Sequence, residues 1–422
     1  MENSNLEADA ILRRAAWRLV PLILAMYIAA FLNRVNVGFA ALTMNQDLGF
    51  SPEVYGWGTG VFFLGYLVFE VPSNLIMEKV GARIWMARIM ITWALVSMAF
   101  AFVQGPVMFA VLRFLLGLAE AGFYPGILLY FTYWFPAATR ARILALFCMG
   151  IPISNILGSP LSGWLLEMEG YGFKGWQWMY LLEGIPTLAL GAVALWGLPD
   201  NPRKAHFLTE REKDIVMARL AGEARAEVHG FGDMLKDWRV WALMIPDFAI
   251  VFGIYALSFW MPQMVKALGY DIKQTSLIVM IPYTASLAIL WGIGVSSDRT
   301  GRRALHFILS ALICAAGFLV AALGVGNPVM VIAGFCLAAG GAYSGLATFW
   351  SVPPLFLGGT AAAGAFALIN CVGNLSGFVG PGLMGWLLQS TGSYTVGMWM
   401  CTGVALVAAL SMAVLARFCV SR

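Results

Sequence analysis

Residues 158–166 read GSPLSGWLL, and residues 380–388, displaced by 222 positions, read GPGLMGWLL. A charged string recurs at a displacement of 220: Glu78-Lys79 with Gly81 and Arg83 returns as Asp298-Arg299 with Gly301 and Arg303. Similarity at nearly one offset indicates an internal duplication. We therefore expect two copies of one structural unit, one in each half of the chain.

The sequence around these strings is predominantly apolar. Of the 422 residues, 60% are hydrophobic and only 11% are charged, whereas soluble domains are about 25% charged. This composition excludes a soluble protein, because one or two water-facing cores could not bury so much apolar surface. Each of twelve apolar runs is long enough for one helix across a bilayer. These runs, called spans 1 to 12 below, lie at approximately 18–42, 55–77, 84–104, 106–135, 141–166, 177–198, 239–267, 275–296, 304–325, 328–356, 360–388 and 394–418.

The fold class follows from these runs. Helices satisfy their own backbone hydrogen bonds in hydrocarbon, and the runs lack the alternation typical of an outer-membrane barrel. We predict an all-α membrane protein of twelve transmembrane helices, arranged as two pseudo-symmetric six-helix bundles. The polar segment 199–238, rich in Glu, Arg and Lys, divides the spans into two sets of six. The predicted domains are an N-terminal bundle over 1–198, a cytoplasmic central loop over 199–238 and a C-terminal bundle over 239–422.

Lysine and arginine are distributed unequally between the loops. With the N-terminus inside, 21 of the 26 fall on cytoplasmic segments, and only Lys174, Lys266 and Lys273 lie outside. The positive-inside rule then predicts that both termini are cytoplasmic, in an inner or plasma membrane. The first span carries no small-residue cleavage pattern, so we expect it to remain as an anchor.

Several function classes find no support in the residue pattern. The six cysteines lie in apolar stretches without C-x-x-C spacing, and the three histidines lie in or beside polar segments. This argues against a disulfide framework, a zinc site or a haem, so we expect no cofactor and no metal. No nucleophile and base pattern indicates an enzyme. The positive net charge is a topology signal rather than a nucleic-acid patch, so no nucleic-acid partner is expected.

Three charged residues lie deep within spans 1 and 4. Arg34 precedes the outer end of span 1 by about eight residues, and Arg113 follows the outer start of span 4 by about seven, so each lies roughly 10 to 12 Å deep. Glu120 follows Arg113 by two helical turns and shares its face. A charge at depth costs at least about 2.5 to 3.5 kcal/mol, which predicts a wet cavity or a partner.

Two interpretations of these charges are open. In the functional one, the guanidinium pair binds an anionic substrate bidentately, and Glu120 carries a proton. In the structural one, they form a salt bridge, or Arg34 reaches outward to the interface.

Three further acids lie inside spans. Glu70 precedes Pro72, and we favour a structural role in which it bonds freed backbone or neighbouring helices. Glu183 lies near the outer end of span 6, where we expect it to be interfacial. Asp247, about 12 Å into span 7, is a candidate second proton site.

The second half buries polar and aromatic side chains but no lysine or arginine. We expect this half to read hydroxyl groups or stack on a ring of the substrate. The candidate substrate-binding residues beyond the two arginines are Asn36, Tyr66, Tyr255, Trp260, Trp350, Asn370 and Asn374. For Asn370 and Asn374, interhelical hydrogen bonding is an equal alternative.

The charged loops after spans 2 and 8 predict a conformational latch. Short turns need their glycines, and acids beside arginines can form charge-assisted bonds to helix ends. The candidate latch residues are Glu78, Arg83, Asp298, Arg299 and Arg302. Inside-positive charge alone is the alternative.

Several of these strings resemble known families. The pattern G-x-x-S-D-R-x-G-R-R over 294–303 resembles the signature loop of the major facilitator superfamily. The strings LNRVNVGFA over 32–40, FEVPSN over 69–74 and RFLLGLAEAGFYPG over 113–126 resemble its anion:cation symporter family, as do Gly65-Tyr66, Phe349-Trp350, Pro353 and Gly373-Asn374. The resemblance covers essentially the whole chain.

The resemblance implies transport of organic anions such as sugar acids, tartrate and aromatic carboxylates, usually with protons. It implies that Arg34 and Arg113 bind the anion and that Glu120 accepts the proton. Many members carry an acid immediately before the span-1 arginine. Here that residue is Asn33, which cannot release a proton and argues against a two-proton mechanism at that position.

We therefore expect a functional monomer that imports a small organic carboxylate with protons by alternating access. Its partners would be a small anionic solute, protons and the lipid bilayer. The alternatives are a multidrug or metabolite exporter of the same fold, against which the two arginines argue, and a non-transporting sensor, whose signalling domain would need more than the central loop.

Overall fold

The computed structural model describes residues 2–136, 139–140, 143–144, 147, 149–221, 237–353 and 361–419. In these ranges the regular secondary structure is helical and no strand forms. The predicted all-α fold class is confirmed. Within the described residues, eleven helices are long and apolar enough to cross a membrane, by length and composition. The chain is thus a multi-pass membrane protein.

The helices follow the twelve predicted spans. Span 5 is described as a 17-residue helix, and part of its predicted range lies outside the described residues. In chain order the span helices are Glu2–Val35 with Val37–Leu48, Pro52–Val80, Ala82–Ala99, Pro106–Glu120 with Phe123–Trp134, Gly150–Leu166, Gly175–Gly197, Trp238–Lys266, Ile272–Thr300, Arg303–Leu323, Pro328–Phe349, Ala361–Thr391 and Tyr394–Cys419. A separate helix, Glu210–Ala221, lies in the central polar segment.

Local sequence signals set the helix ends. Proline stands at the first helical position of spans 2, 4 and 10, where its missing N–H is not needed. Span 8 begins with a reciprocal cap: Asp271 Oδ1 accepts from the Gln274 N–H at 2.7 Å, and Gln274 Oε1 accepts from the Asp271 N–H at 3.2 Å. Span 8 ends at Gly301 in the left-handed conformation.

Two spans that the sequence predicts as continuous are interrupted. Span 1 breaks at Asn36, and span 4 breaks at Ala121 and Gly122, directly after Glu120. Gly122 has φ of 86°, and a Cβ there would lie 2.1 Å from Ser73 Oγ. Only glycine fits both the backbone conformation and this approach of span 4 to span 2. Both interruptions therefore lie beside the charged residues that the sequence singles out.

The two halves pack through spans 2 and 11 and through spans 5 and 8. A Cβ on Gly163 would lie 2.1 Å from Ser276 Oγ, and a Cβ on Gly385 would lie 2.3 Å from the Pro52 carbonyl oxygen. Gly163 and Gly385 are equivalent positions of the repeated string. The repeat therefore supplies one close contact to each of the two seams between the halves, where a seam is the interface of spans 2 and 11 or of spans 5 and 8. Both contacts lie at the end of the bundle that the charge distribution places outside, called the predicted outer end below.

Candidate functional site

Arg34 and Glu120 form an ion pair inside the bundle. Glu120 is buried, and the Arg34 side chain keeps 14% of its surface exposed. Neither group uses all of its hydrogen-bonding atoms, because Arg34 Nε and Glu120 Oε2 are buried without a hydrogen-bond partner in the part of the chain that the structure describes. The sequence places Glu120 on the face of Arg113. The structure instead pairs it with Arg34, which excludes the outward-reaching orientation of Arg34.

Aromatic rings surround the Arg34 guanidinium. Its central carbon lies 5.6 Å from the centroid of Phe31, 5.4 Å from that of Phe62 and 5.6 Å from that of Tyr66. Tyr255, from the second half, is a further neighbour of Arg34. Cation–ring attraction stabilises a cation without supplying a counter-charge. The predicted ligand residues Tyr66 and Tyr255 are therefore brought to Arg34, at the boundary between the halves.

Arg113 lies in a different environment. Its side chain is only 1% exposed, and Nε and Nη2 donate to the Thr59 carbonyl oxygen at 3.2 and 3.1 Å. Its guanidinium carbon lies 5.2 Å from the centroid of Phe62 and 5.8 Å from that of Phe259. Among the described residues, no carboxylate pairs with Arg113. Both arginines contact the ring of Phe62, and of the two only Arg34 pairs with a carboxylate among the described residues.

The polar residues of span 11 have partners in both halves. Asn374 Oδ1 accepts from the Tyr255 hydroxyl at 3.1 Å, within the second half. Asn370 donates to Glu70 Oε1 at 3.3 Å, and Cys371 donates to Glu70 Oε2 at 3.2 Å. Glu70 thus bonds a neighbouring helix, in agreement with the structural role that its position before Pro72 indicates.

The two predicted tryptophans differ in their surroundings. Trp260 is fully buried, edge-on to Tyr55 at 5.0 Å, and its Nε1 has no partner. Trp350 is half-buried, and its ring contacts are with Phe349 and Phe366. Neither of those rings is shared with Arg34. Trp260 therefore lies among the rings at the boundary of the halves, while Trp350 packs within spans 10 and 11.

Asp247 is buried in span 7 against span 11. A Cβ on Gly373 would lie 2.0 Å from Asp247 Oδ2, and Oδ1 has no hydrogen-bond partner. Among the described residues, no cation pairs with it. Its place as a second proton site stays a prediction.

The expectation for Glu183 is wrong. This residue is not interfacial: it is 3% exposed and accepts from Asn36 Nδ2 at 2.9 Å and from Ser162 Oγ at 2.7 Å. Asn36 therefore binds a protein carboxylate in this structure, rather than lying open to a solute. Depth was the missed signal, since eight residues from the start of span 6 correspond to about 12 Å. The same count placed Arg34.

The structure shows which partners the charged loop residues have. Asp298 pairs with Arg303 at 2.5 Å rather than with Arg299 or Arg302. In the loop after span 2, Glu78 is exposed, and the acid that reaches the Arg83 backbone N–H is Asp200, at 2.9 Å. The role of these loops as a latch stays a prediction.

Comparison with known proteins agrees with this architecture. The Major Facilitator Superfamily model matches residues 23–381. A protein of Agrobacterium vitis named "Putative tartrate transporter" is 48% identical over 421 residues, covering 98% of this chain and 93% of that one. The "Quinolone resistance transporter" of Acinetobacter baumannii is 39% identical over 404 residues, covering 94% and 92%. The crystal structure of a D-xylose-proton symporter matches with a TM-score of 0.74 at 14% identity, covering 93% of this chain and 96% of that one.

Proposed function

The chain belongs to the major facilitator superfamily and is a transporter rather than an enzyme, and from this premise we propose that it imports a small organic carboxylate together with protons. The substrate class is a sugar acid, a tartrate-like acid or an aromatic acid. The name of the Agrobacterium vitis relative, a tartrate transporter, supports this class. The cycle would be alternating access between two bundles, with the site at their boundary.

One observation carries the proposal: a buried ion pair whose members keep unused hydrogen-bonding capacity at the boundary of the halves. Arg34 Nε and Glu120 Oε2 both lack hydrogen-bond partners among the described residues. A guanidinium binds a carboxylate best through two parallel hydrogen bonds. Arg34 can give a substrate carboxylate that geometry only if Glu120 releases it. Arg113, which pairs with no carboxylate in the described part of the chain, supplies the second cation.

Competition for Arg34 explains why protons and anion would travel together. While Glu120 is ionised, it neutralises Arg34 and repels a second carboxylate. Protonation removes that charge, so the substrate anion can take the place of Glu120 on the guanidinium. A ligand shifts a conformational equilibrium only through its different affinity for the two states. Here the protonated, anion-loaded site and the empty ion pair would be the two forms in which Arg34 is neutralised.

The remaining features belong to the same proposal. Each half supplies residues to one site within one chain, so a monomer is complete, with bundles over 1–198 and 239–422 joined by the cytoplasmic segment 199–238. A proton gradient directed inward drives import across a bacterial inner membrane. Both termini would face the cytoplasm, as the lysine and arginine distribution predicts.

The test is uptake into proteoliposomes of the purified chain, with tartrate, sugar acids and aromatic carboxylates as probes. At least one acid should accumulate when the outside is acidified, and should also exchange against internal substrate without a gradient. Glu120→Gln should lose accumulation driven by the pH gradient while it keeps exchange, because its side chain cannot cycle a proton. If no organic acid moves in either assay, or if Glu120→Gln accumulates substrate like the wild type, the proposal fails.

Export of lipophilic drugs is the second candidate function. It is favoured by the Quinolone resistance transporter, at 39% identity. Among the described residues only Arg34 of the two arginines pairs with a carboxylate, so Arg113 leaves a positive charge that disfavours cationic drugs. Quinolones carry a carboxylate that Arg34 could bind. Including a quinolone among the probes separates the two functions, because an exporter would transport it while ignoring sugar acids and tartrate.

A further inference from the structure

We propose that Glu183 is a second proton-binding site, separate from Glu120 and built from spans 1, 5 and 6. Its ligand is the proton, which Glu183 would bind and release during the cycle. The assignment of that proton to transport rests on the proposed function. The existence of a titrating Glu183 does not.

The first argument concerns the hydrogen-bond partners of the Glu183 carboxylate. Its two oxygens accept from Asn36 on span 1, at 2.9 Å, and from Ser162 on span 5, at 2.7 Å. A buried carboxylate without a counter-charge is costly to keep ionised. Among the described residues no cation pairs with Glu183, so neutral donors alone support its charge.

Among the described residues, the charged and titratable groups on the helices packed against span 6 form no ion pair with Glu183. On span 1, Arg34 pairs with Glu120. On span 3, Arg88 lies 4.4 Å from the centroid of Trp85. On span 5, Glu167 is exposed at the end of the helix. On span 6 itself, the Tyr180 hydroxyl is buried without a hydrogen-bond partner, and it supplies no positive charge.

The second argument is that both partners suit either protonation state. An amide and a hydroxyl can each donate or accept, whereas lysine and arginine can only donate. Asn36 also keeps an unused acceptor: its Oδ1 has no partner although the residue is only 1% exposed. Rotation of the amide by half a turn would present that oxygen to a protonated Glu183. The ionised carboxylate accepts two hydrogen bonds, and the carboxylic acid donates one. Both protonation states of Glu183 therefore have hydrogen-bond partners.

The third argument is access. A small cavity between spans 1 and 5 has room for about one water molecule. Its polar lining includes Asn36 and Ser162, the two groups that bind Glu183, together with Ser159. A water molecule in this cavity would lie beside both Glu183 partners, and the rings around Arg34 do not line the cavity.

The position of Asn36 links the two sites. It lies two residues after Arg34, at the interruption between the two helices of span 1. A rearrangement of its amide would occur where the helix already lacks continuity. Proton binding at Glu183 would thereby act on the span that carries the anion-binding guanidinium.

The direct test is an infrared pH titration of the purified protein, which follows the C=O stretch of protonated carboxylic acids. The wild type should show a component that Glu183→Gln lacks and Glu120→Gln retains. Ser162→Ala removes one donor to the ionised form, so this component should persist to higher pH. Ser159→Ala is the matched control, because that serine lines the same cavity but donates to the Asn155 carbonyl at 2.6 Å. It should leave the titration unchanged.

A transport measurement assigns the proton to the cycle. In proteoliposomes with the carboxylate that the wild type moves best, Glu183→Gln should carry one proton fewer per substrate. The proposal is overturned if the infrared component survives in Glu183→Gln, if Ser162→Ala titrates like the wild type, or if the proton count is unchanged. Absence of carboxylate transport by the wild type would instead refute the proposed function, and the infrared result would still decide whether Glu183 titrates.

Discussion

The two buried arginines should respond in opposite ways to loss of charge. We expect Arg113→Met to be as stable as the wild type or more stable, although Arg113 is 1% exposed. Arg34→Met should lose about 3 to 5 kcal/mol, because it leaves Glu120 as an uncompensated buried charge. Both variants should lose anion binding.

The magnitude for Arg113 follows from its contacts. Its two hydrogen bonds converge on one carbonyl oxygen. A hydrogen bond to a charged group contributes about 1.5 to 3 kcal/mol. Each of its two ring contacts adds about 0.5 to 2 kcal/mol. Burial of a cation without a counter-ion costs several kcal/mol, which offsets these gains. Methionine keeps the apolar stem and makes favourable sulfur–ring contacts.

The assay is unfolding in detergent, monitored by intrinsic tryptophan fluorescence, with and without a transported carboxylate. A ligand at 100 times its Kd should stabilise the wild type by about 2.7 kcal/mol and should not stabilise Arg113→Met. Arg88→Met is the matched control: it removes a cation from the Trp85 ring, outside the site, and should cost less than about 1 kcal/mol. The reasoning is refuted if Arg113→Met is less stable than Arg34→Met, or if ligand stabilises it as much as the wild type.

Three smaller predictions concern closure and the cytoplasmic face. Gly56→Val should abolish uptake, because a Cβ at Gly56 would lie 2.3 Å from a span 11 carbonyl oxygen and would keep the halves apart. Cysteines introduced at the predicted outer end should then react with thiol reagents. Gly105→Val, with open space around it, should transport normally. Asp298→Asn should slow transport without changing substrate affinity if its ion pair acts as a latch, and an unchanged maximal rate would argue for loop charge alone. The pKa of Glu212 lies below its ordinary value, chiefly because the Thr209 backbone N–H donates to its carboxylate. The stabilisation that Glu212 gives the helix Glu210–Ala221 should therefore be lost as the pH falls through that lowered pKa, and proteolysis of the central segment should become faster. Glu212→Gln should show no such change with pH.

The sequence predicted the spans and the depth of the charges, because both depend on position along a single helix. Arg34 and Glu120 could be placed in the membrane by counting residues. Their pairing could not be predicted, since it depends on the rotation of span 1 against span 4 and on a break that Gly122 permits. Pattern alone gives each helix a face but not the neighbour that the face meets.

The latch shows the same limit at shorter range. Neighbouring positions on a helix differ by a large rotation, so Asp298 can reach only particular arginines once the turn is fixed. The left-handed Gly301 sets that turn and selects Arg303 over Arg299 and Arg302. Glu183 is a different case. Its depth in the membrane could be obtained by counting residues from the start of span 6, but its position near the end of the span suggested an interfacial site.

The equivalent glycines of the repeated string constrain the kinetics of opening. Gly163 seats against Ser276 and Gly385 against Pro52, each at a distance that leaves no room even for a methyl group. Such contacts are either made or broken, because closely packed interfaces have discrete arrangements and do not deform continuously. Parting one seam while the other holds would bend rigid helices, so both should part in a single step. A duplicated small residue would thereby make the carrier switch abruptly and would suppress half-open intermediates through which ions could leak.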